Sequence, residues 1–564
     1  MEPLIRRRAL GNVDALPANL HPVLRRLYAS RGASADQIAC ELKSLLPPTA
    51  LRGLPAACAL LADALRSNAK IVIAGDYDAD GATGTALAIL GLRALGATNL
   101  GYVVPDRFRM GYGLSAPLAE MAAAMSAQVL VTVDNGIASI AGVARAKELG
   151  MRVIVTDHHL AGAELPMADA IVNPNQISCE FASKNLAGVG VMFYLLVALR
   201  AHLRETGWFA NRAEPNLSEF LDLVALGTVA DVVRLDYNNR VLVAQGLARI
   251  RAGRARPGIY ALLEVAGRSP ARLTASDMGF VLGPRINAAG RLEDIRTGIE
   301  CLLAPTPEAA QPLARQLDQF NRDRRELEAQ MRDEALAIIE GSEAVGISIF
   351  EPHWHEGVVG LIASRVKDKL HRPAFAFARA QDAGLLKGSG RSIAGFHLRD
   401  ALAALDARRP GMILRFGGHA MAAGLTIAED QFVAFAELFD AICREQLDDS
   451  LLERVVETDG ELDPAQLAID TALALESGGP WGQGFPEPLF DGIFRVQDVR
   501  IVGEHHAKYR LALANGPSLE AIHFSGAESM REIGQPLRVT YQLTVNRFRD
   551  MQSAEMRIQS LLES

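Results

Sequence analysis

The sequence predicts an α/β protein: a doubly wound parallel-sheet domain, a long connecting helix, a smaller α/β domain and a carboxyl-terminal β-barrel of OB type. Three observations predict it. Short β-branched runs alternate with Ala- and Leu-rich stretches through the first half of the chain, as in repeated βα units. A charge-laced helical stretch then runs from Thr306 to about Glu340. After Pro480-Trp-Gly-Gln-Gly-Phe-Pro486, several stretches alternate apolar and polar residues, as half-buried strands do. At 564 residues the chain is too long for one hydrophobic core.

In order along the chain, residues 1–45 read as a small, polar-faced extension. Residues 46–305 form the first domain, with strands expected at Lys70–Gly75, Leu100–Val104, Gln128–Val133, Arg152–Thr156 and Ala170–Asn173 and helices after Gly81 and around Ile140–Leu149. Residues 306–340 are the connecting helix, either a solvated bridge or one that also touches substrate. Residues 341–455 form the second α/β domain, with Gly-rich turns at Gly388-Ser389-Gly390-Arg391-Ser392 and Gly417-Gly418-His419-Ala420. Residues 456–564 form the barrel, built from Phe494–Val502, Tyr509–Leu513, Leu519–Phe524 and Leu537–Val545; Val539, Tyr541, Leu543 and Val545 share one strand face.

Composition excludes several classes. With 49% hydrophobic and 22% charged residues, no apolar run reaches membrane-spanning length. The amino-terminal Met1-Glu-Pro-Leu-Ile-Arg-Arg-Arg8 has no apolar stretch behind its basic residues, so it does not read as a secretory signal. The 5 cysteines are widely spaced with no CxxC pair, which points to a reducing cytoplasm and away from zinc ribbons and disulfides. A formal net charge of −8 does not exclude a nucleic-acid partner, because bound metal neutralises acid clusters and net charge is silent about local patches.

The chemistry is concentrated in Asp76-Tyr77-Asp78-Ala79-Asp80-Gly81, Val133-Asp134-Asn135-Gly136 and Thr156-Asp157-His158-His159, each just after a β-branched run. In an open parallel sheet ligands bind at the carboxyl ends of the strands. Carboxylates and imidazoles gathered there suit divalent cations. The first run overlaps the opening of a calcium loop, but position 12 is Leu87 rather than a bidentate Glu, and a strand precedes it. Asp134 alone is a common turn residue and gains weight as the second acidic strand end. His505-His506, without acidic neighbours, reads as surface. Tyr541, Arg547, Phe548 and Arg549 suit single-strand stacking or a barrel core, with core favoured for the aromatics.

Together these residues resemble the DHH phosphoesterase superfamily along nearly the whole chain, and within it the exonucleases specific for single strands. Gly227-Thr-Val-Ala-Asp231 is similar to the fourth family motif, Gly283-Pro-Arg285-Ile-Asn287-Ala-Ala-Gly-Arg291 to the segment closing the first domain, and His355-Glu-Gly-Val-Val-Gly360, Gly388–Ser392 and Gly417–Gly424 to the DHHA1 domain. The resemblance implies two Mn²⁺ or Mg²⁺ positions bridged by Asp134, with Asp78 at one ion and Asp80, His158 and Asp231 at the other. Asp76 would assist the first position, Asp157 would support the histidine pair, and His159 would face the scissile phosphate. Ala74 stands where several relatives have a histidine, which implies a weak first position. Arg285, Arg291, Ser389, Arg391, Ser392, Gly418 and His419 would bind substrate, Asn287 would hydrogen-bond substrate or its neighbours, and the second domain would receive a terminal phosphate.

The resemblance implies a cytoplasmic, monomeric 5′→3′ exonuclease on single-stranded DNA that releases 5′-mononucleotides in repair and recombination. Single-strand-binding protein, a helicase and mismatch-repair factors would be its protein partners, and no membrane would be involved. Two rivals are a DHH phosphodiesterase on short oligonucleotides or cyclic dinucleotides and a catalytically dead DHH scaffold. The first is usually shorter and lacks the barrel; the second is expected to lose acidic ligands that are all present here. Replacing Asp80→Ala is expected to abolish cleavage while leaving single-strand binding largely intact, read by nuclease assay and gel shift. Equal loss of binding and folding would contradict a ligand role.

Overall fold

The computed structural model describes residues 3–513, 516–549 and 551–562; Met1 and Glu2 of the basic amino-terminal run lie outside them, as do residues 563–564 of the expected barrel. The chain starts with β1 (Leu4–Arg7), followed by a helix over Pro22–Ser30 that buries Val23, Leu24, Leu27 and Tyr28. The Tyr28 ring lies 6.0 Å from that of Trp481, and its hydroxyl donates to Gly478 O at 2.7 Å. The expected polar-faced extension is therefore an amphipathic clasp. Arg31 turns inward onto Asp459, a partner more than four hundred residues away in sequence.

The first domain carries β2 (Ile71–Ala74), β3 (Leu100–Val103), β4 (Val129–Val133), β5 (Arg152–Thr156) and β6 (Ala170–Val172), all parallel in the order β3-β2-β4-β5-β6. These strands are almost wholly apolar because helices cover both faces. Ile71, Ile73 and Val131 face the core shared with helices Ala79–Ala94 and Gly188–Glu205, while Val72, Ala74, Leu130 and Val153 face helices Ala116–Ala124 and Ile140–Glu148. The sheet is thus doubly wound. The chain leaves β2 toward β3 on one side and returns to β4 on the other, so the gap between β2 and β4 is the point where strand order reverses.

A helix of 32 residues, Pro307–Ile338, leaves this domain after Thr306 caps it by accepting the Ala309 N–H. It is about 48 Å long at about 1.5 Å per residue. Its first half buries Ala310, Ala314 and Leu317 in the first domain's core, and its second half buries Met331 and Ala335 in the second domain's core. It is a packed strut joining the two.

The second domain is a mixed sheet of β7 (Ile347–Phe350), β8 (Ala374–Arg379), β9 (Leu385–Arg391), β10 (Ile413–Gly418) and β11 (Ala422–Ala428), in the order β10-β11-β9-β8-β7. Here the expected Gly388–Ser392 turn is corrected: Leu385–Arg391 is a strand paired with β8 and β11, and its backbone belongs to those ladders. Gly388 and Gly390 are small for a steric reason. A Cβ on either would come within 2.4 Å of the Phe377 or Phe375 ring. With those rings lying flat on one face, strand alternation sends Lys387, Ser389 and Arg391 to the other. Lys387 Nζ donates to Phe108 O, so that face looks at the first domain. Gly418, with φ +142°, lies in the reversal between β10 and β11, where the His419 N–H donates to Ala422 O.

Strand β12 (Val455–Thr458) pairs in parallel with β1. The barrel follows as β13 (Phe490–Val502), β14 (His506–Ala512), β15 (Ser518–His523), β16 (Pro536–Phe548) and β17 (Met551–Leu562), closed in the order β13-β14-β15-β17-β16. Val539, Tyr541 and Leu543 fill its interior and Val545 sits at its rim. Tyr541 is therefore core, Arg547 pairs with Glu476, and Phe548 is exposed at the β16–β17 turn. Asp459 accepts hydrogen bonds from Arg8, Arg31 and the Leu489 N–H, and both Arg31 and Asp459 are sealed from solvent. Truncating one partner of such a pair leaves a buried charge. Asp459→Ala is expected to cost about 3–5 kcal/mol and to lower the melting midpoint; a midpoint shift under one degree would show the clasp to be unimportant.

Candidate metal centre and phosphate pocket

Three strand ends build the acidic wall. After β2 the chain turns at Gly75 into the helix Ala79–Ala94, with Asp78 as its N-cap accepting from the Gly81 N–H at 3.0 Å. Asp80 sits in the first turn of that helix, where its carboxylate accepts the N–H groups of Gly188 at 2.6 Å and Val189 at 2.9 Å. Those N–H groups open the helix Gly188–Glu205, whose positive end favours an anion. Asp134 ends β4 with φ +65°, a left-handed conformation that Asp tolerates better than most residues. A Cβ on Gly188 would lie 2.5 Å from the Asp134 Cβ, so only glycine lets the helix approach this closely. Asp231 follows the last residue of the helix Leu221–Ala230.

The ligand atoms converge. Asp80, His158 and Asp231 each offer one within 4.8 Å of the others, as do Asp76, Asp78 and Asp134, and as do Asp134, His158 and His159. His158 Nε2 lies 3.0 Å from Asp134 Oδ1 and 3.5 Å from Asp231 Oδ2. Yet Asp76 Oδ1, Asp134 Oδ1, Asp231 Oδ2 and His158 Nε2 are all buried without a hydrogen-bond partner. Buried polar atoms that point at a common space without bonding one another fit a divalent cation at their centre.

Electrostatics point the same way. Burial, then repulsion from neighbouring carboxylates, holds Asp76, Asp134 and Asp231 well above the usual carboxylate range and pushes Asp80 up to about 7. Such a cluster cannot be fully ionised without cations. Burial pushes His158 down to about 4, keeping it a neutral donor of a lone pair.

Asp157 is bound on every side. Its Oδ1 accepts the His158 and His159 N–H groups and lies 2.8 Å from His159 Nδ1, and its Oδ2 accepts the Ile137 N–H. Burial works to raise the Asp157 carboxyl, but these bonds and the histidine charges bring it below the usual range. Burial likewise works to lower His159, but the Asp157 bond and the charges of Asp76 and Asp78 outweigh it. Asp157 orients the imidazole; it has no free oxygen to offer a ligand.

Beside the acids, Arg107 and Arg291 of the first domain meet Arg391 of the second; the three lie close enough to repel one another's charge, and none has a carboxylate partner among the described residues. Burial, with this repulsion, pushes Arg291 down to about 9. Arg391 Nη1 donates to Ser389 Oγ at 3.2 Å and Gly390 O at 2.8 Å. A Cβ on Gly360, at the start of the helix Val359–Leu370, would touch both Ser389 Oγ and Arg391 Nη2, so a helix amino terminus opens beside them. Guanidiniums without counterions beside a helix amino terminus form an anion pocket. A cavity of about 350 Å³ lies between His159 and His419, whose rings are 6.5 Å apart, with Arg399 on its wall. A larger cavity of about 520 Å³, between the barrel and the helix Tyr237–Arg251, gathers no such set of ligands.

Two expected substrate contacts, Ser392 and Arg285, are placed otherwise, and Asn287 takes the neighbour-bonding alternative. Ser392 is buried and its hydroxyl donates to Phe396 O at 2.7 Å, leaving nothing for a phosphate. Arg285 pairs with Asp318 at 2.9 Å and donates to Val281 O, so it braces the connecting helix. Asn287 Oδ1 accepts the Ala79 N–H at 2.8 Å and so anchors the acidic loop. Conversely, sequence reasoning passed over Arg107, which stacks 4.7 Å above the Tyr77 ring, and Tyr112, whose hydroxyl donates to Asp134 O and lies 3.0 Å from His159 Nδ1. Both sit in the loop after β3, at the same sheet end as the acidic motifs. That position was the available signal.

Fold and site together define a DHH-type phosphoesterase with an appended barrel. Residues 70–228 match the DHH family, N-terminal domain; residues 342–445 match the DHHA1 domain; residues 458–560 match the RecJ OB domain. The chain belongs to the RecJ family. It is 51% identical to the single-stranded-DNA-specific exonuclease RecJ of Escherichia coli (strain K12) and 53% identical to that of Dickeya dadantii (strain 3937), covering 99% of this chain and 98% of each relative. The crystal structure of RecJ in complex with Mn²⁺ from Thermus thermophilus superimposes with a TM-score of 0.84 at 32% identity, covering 99% of this chain and 80% of that one.

Adding Mn²⁺ to metal-stripped protein is expected to raise its melting midpoint, with a gain of about 2.7 kcal/mol at a hundredfold excess over the dissociation constant. Asp231→Asn is expected to remove most of that gain. An unchanged midpoint with metal would refute a cation centre.

Proposed function

We propose that the chain is a metal-dependent exonuclease on single-stranded DNA that cuts 5′→3′ and releases 5′-mononucleotides. The observation that carries it is the pairing, in one cleft, of a metal-ready acidic wall with arginines that have no carboxylate partner among the described residues. In this reading one nucleotide bridges the two, its terminal 5′-phosphate at the arginines and its 3′-linked phosphate at the acids.

Asp80, His158 and Asp231 would hold one ion, Asp76 and Asp78 another, and Asp134 would bridge them. The buried methyl of Ala74 offers the first position no ligand, which would leave that position the weaker. When bound, such cations lower the pKa of an attacking water, polarise the phosphodiester and stabilise the leaving oxygen. The chain's own groups position the reaction. Asp157 holds His159 at Nδ1 and favours its charged form, so that Nε2 can face a phosphate oxygen. Arg391, Arg291 and Arg107, with Ser389 and the amino end of the helix Val359–Leu370, receive the terminal phosphate. Gly418 sets the hairpin that brings His419 opposite His159. On the barrel, the exposed Phe548, with the Arg549 guanidinium 5.1 Å from its ring centre, suits base stacking.

The enzyme would act as a monomer in the cytoplasm, in DNA repair and recombination. All 5 cysteines are free, in keeping with a reducing compartment, and no single helix among the described residues is long and apolar enough to cross a membrane. Single-strand-binding protein, a helicase and mismatch-repair factors are the partners this reading offers.

The test is digestion of a single-stranded oligonucleotide labelled at either end, with Mn²⁺ and then with EDTA. Immediate release of mononucleotide from the 5′ label, late shortening of the 3′-labelled strand and silence in EDTA are expected. Early loss of the 3′ label would reverse the polarity. Cleavage of dinucleotides alone would move the chain to the small-substrate branch, and inertness on every substrate would leave a scaffold.

A further inference from the structure

The segment 275–292 is one helical run with a π-helical turn at Met278–Leu282. π turns in helices mark functional positions more often than chance. Phe280 on that turn is 83% exposed, a large apolar side chain left in solvent beside the site. Its helix packs against the end of Leu221–Ala230: a Cβ on Gly279 would lie 3.3 Å from Val229, and one on Gly283 would lie 3.1 Å from Ala230. The next residues there are Asp231, a candidate metal ligand, and Val232. Val232 has φ +60° and is 65% exposed. A β-branched residue is a steric outlier in that conformation, held by its surroundings.

Phe280, Pro284, Asn287 and Arg291 follow one another at helical spacing, and each is at least partly exposed while Leu282, Gly283, Ile286, Ala288, Ala289 and Gly290 between them are buried. Asn287 reaches the acidic loop at Ala79, and Arg291 reaches the phosphate pocket. Phe280 lies two turns behind Asn287, about 10 Å along the axis at about 1.5 Å per residue. That is the side of the scissile bond away from the terminal phosphate. Arg285, five residues further along the helix, shares the single carboxylate of Asp318 with Arg322, and Arg325, near enough to repel Arg285, has no ion pair among the described residues; Asp277, before the turn, pairs with Arg268.

We propose that Phe280 is a stacking ledge for a base of the retained strand, a nucleotide or two past the scissile phosphate, and that Arg322 and Arg325 steer the phosphates beyond it. The proposal rests on the single-strand exonuclease reading and adds a positioning residue to it. Stacking on an aromatic is worth about 1–3 kcal/mol per base, or about 5- to 150-fold in affinity.

The experiment compares wild type, Phe280→Ala and Phe280→Trp on Mn²⁺-loaded enzyme, with a ten-nucleotide strand, a 5′-phosphorylated dinucleotide, and strands carrying one abasic position scanned from the 5′ end. Phe280→Ala is expected to raise KM on the long strand by about tenfold with kcat unchanged, to leave the dinucleotide untouched, and to be rescued by Phe280→Trp. One abasic position should cost wild type the same factor and cost Phe280→Ala nothing further, which a merely structural role would not produce. Phe280→Ala indistinguishable from an active wild type, or equally impaired on dinucleotide and long strand, would overturn the ledge alone. A wild type inert on every single strand would overturn the reading beneath it.

Discussion

Carboxylates held together at the mouths of adjacent parallel strands repel one another across a few ångströms, and much of the surrounding structure relieves that repulsion. The remedies differ by residue. Asp80 is held by the positive end of a helix, Asp78 spends part of its charge capping another, and Asp157 is saturated by backbone N–H groups and an imidazole. Asp76, Asp134 and Asp231 keep oxygen atoms with no partner. The protein has neutralised what it can with its own dipoles and left the remainder to cations. This explains why the ligands come from a parallel sheet: only there do several loops and several helix amino termini meet at one point.

The cleft also gathers positive charge. Arg107, over the Tyr77 ring, and Arg291 come from the acid-bearing domain itself, and Arg391 meets them from the second domain. The long helix sets that meeting. Packed into both cores, it fixes where the second domain sits, and the Phe108 to Lys387 bond and the Arg291 to Gly357 bond pin the near edge. The juxtaposition of acids and arginines is thus a property of the scaffold.

Much of this could be seen in the sequence because the information is local. A β-branched run followed at once by Asp-x-Asp or Asp-His-His carries both its strand and the placement of its side chains at the strand end, and alternation in 537–545 announces a half-buried strand. What escaped depends on residues far away. Whether Gly388-Ser-Gly-Arg is a turn or a strand is decided by Phe375 and Phe377, whose rings need a surface without side chains. Whether Arg285 meets solvent or Asp318 is decided by where the long helix lies. Ser392 looks available until Phe396 O is placed over its hydroxyl. Arg107 and Tyr112 sit in a loop with no periodicity, and only its position after β3 marks it.

The pairing of β1 with β12 bears on how the molecule is made. Residues 4–7 must wait until residues 455–458 leave the ribosome before they find their strand partner, and Arg31 waits equally long for Asp459. Contacts between such distant parts of a chain are slow to form and leave apolar surface open meanwhile. The two catalytic domains can assemble vectorially as they emerge, while the Trp481 and Phe485 side of the amphipathic helix Pro22–Ser30 waits for a segment made long after them. The clasp therefore closes late, after both catalytic domains, and the nascent chain carries an open apolar face until it does.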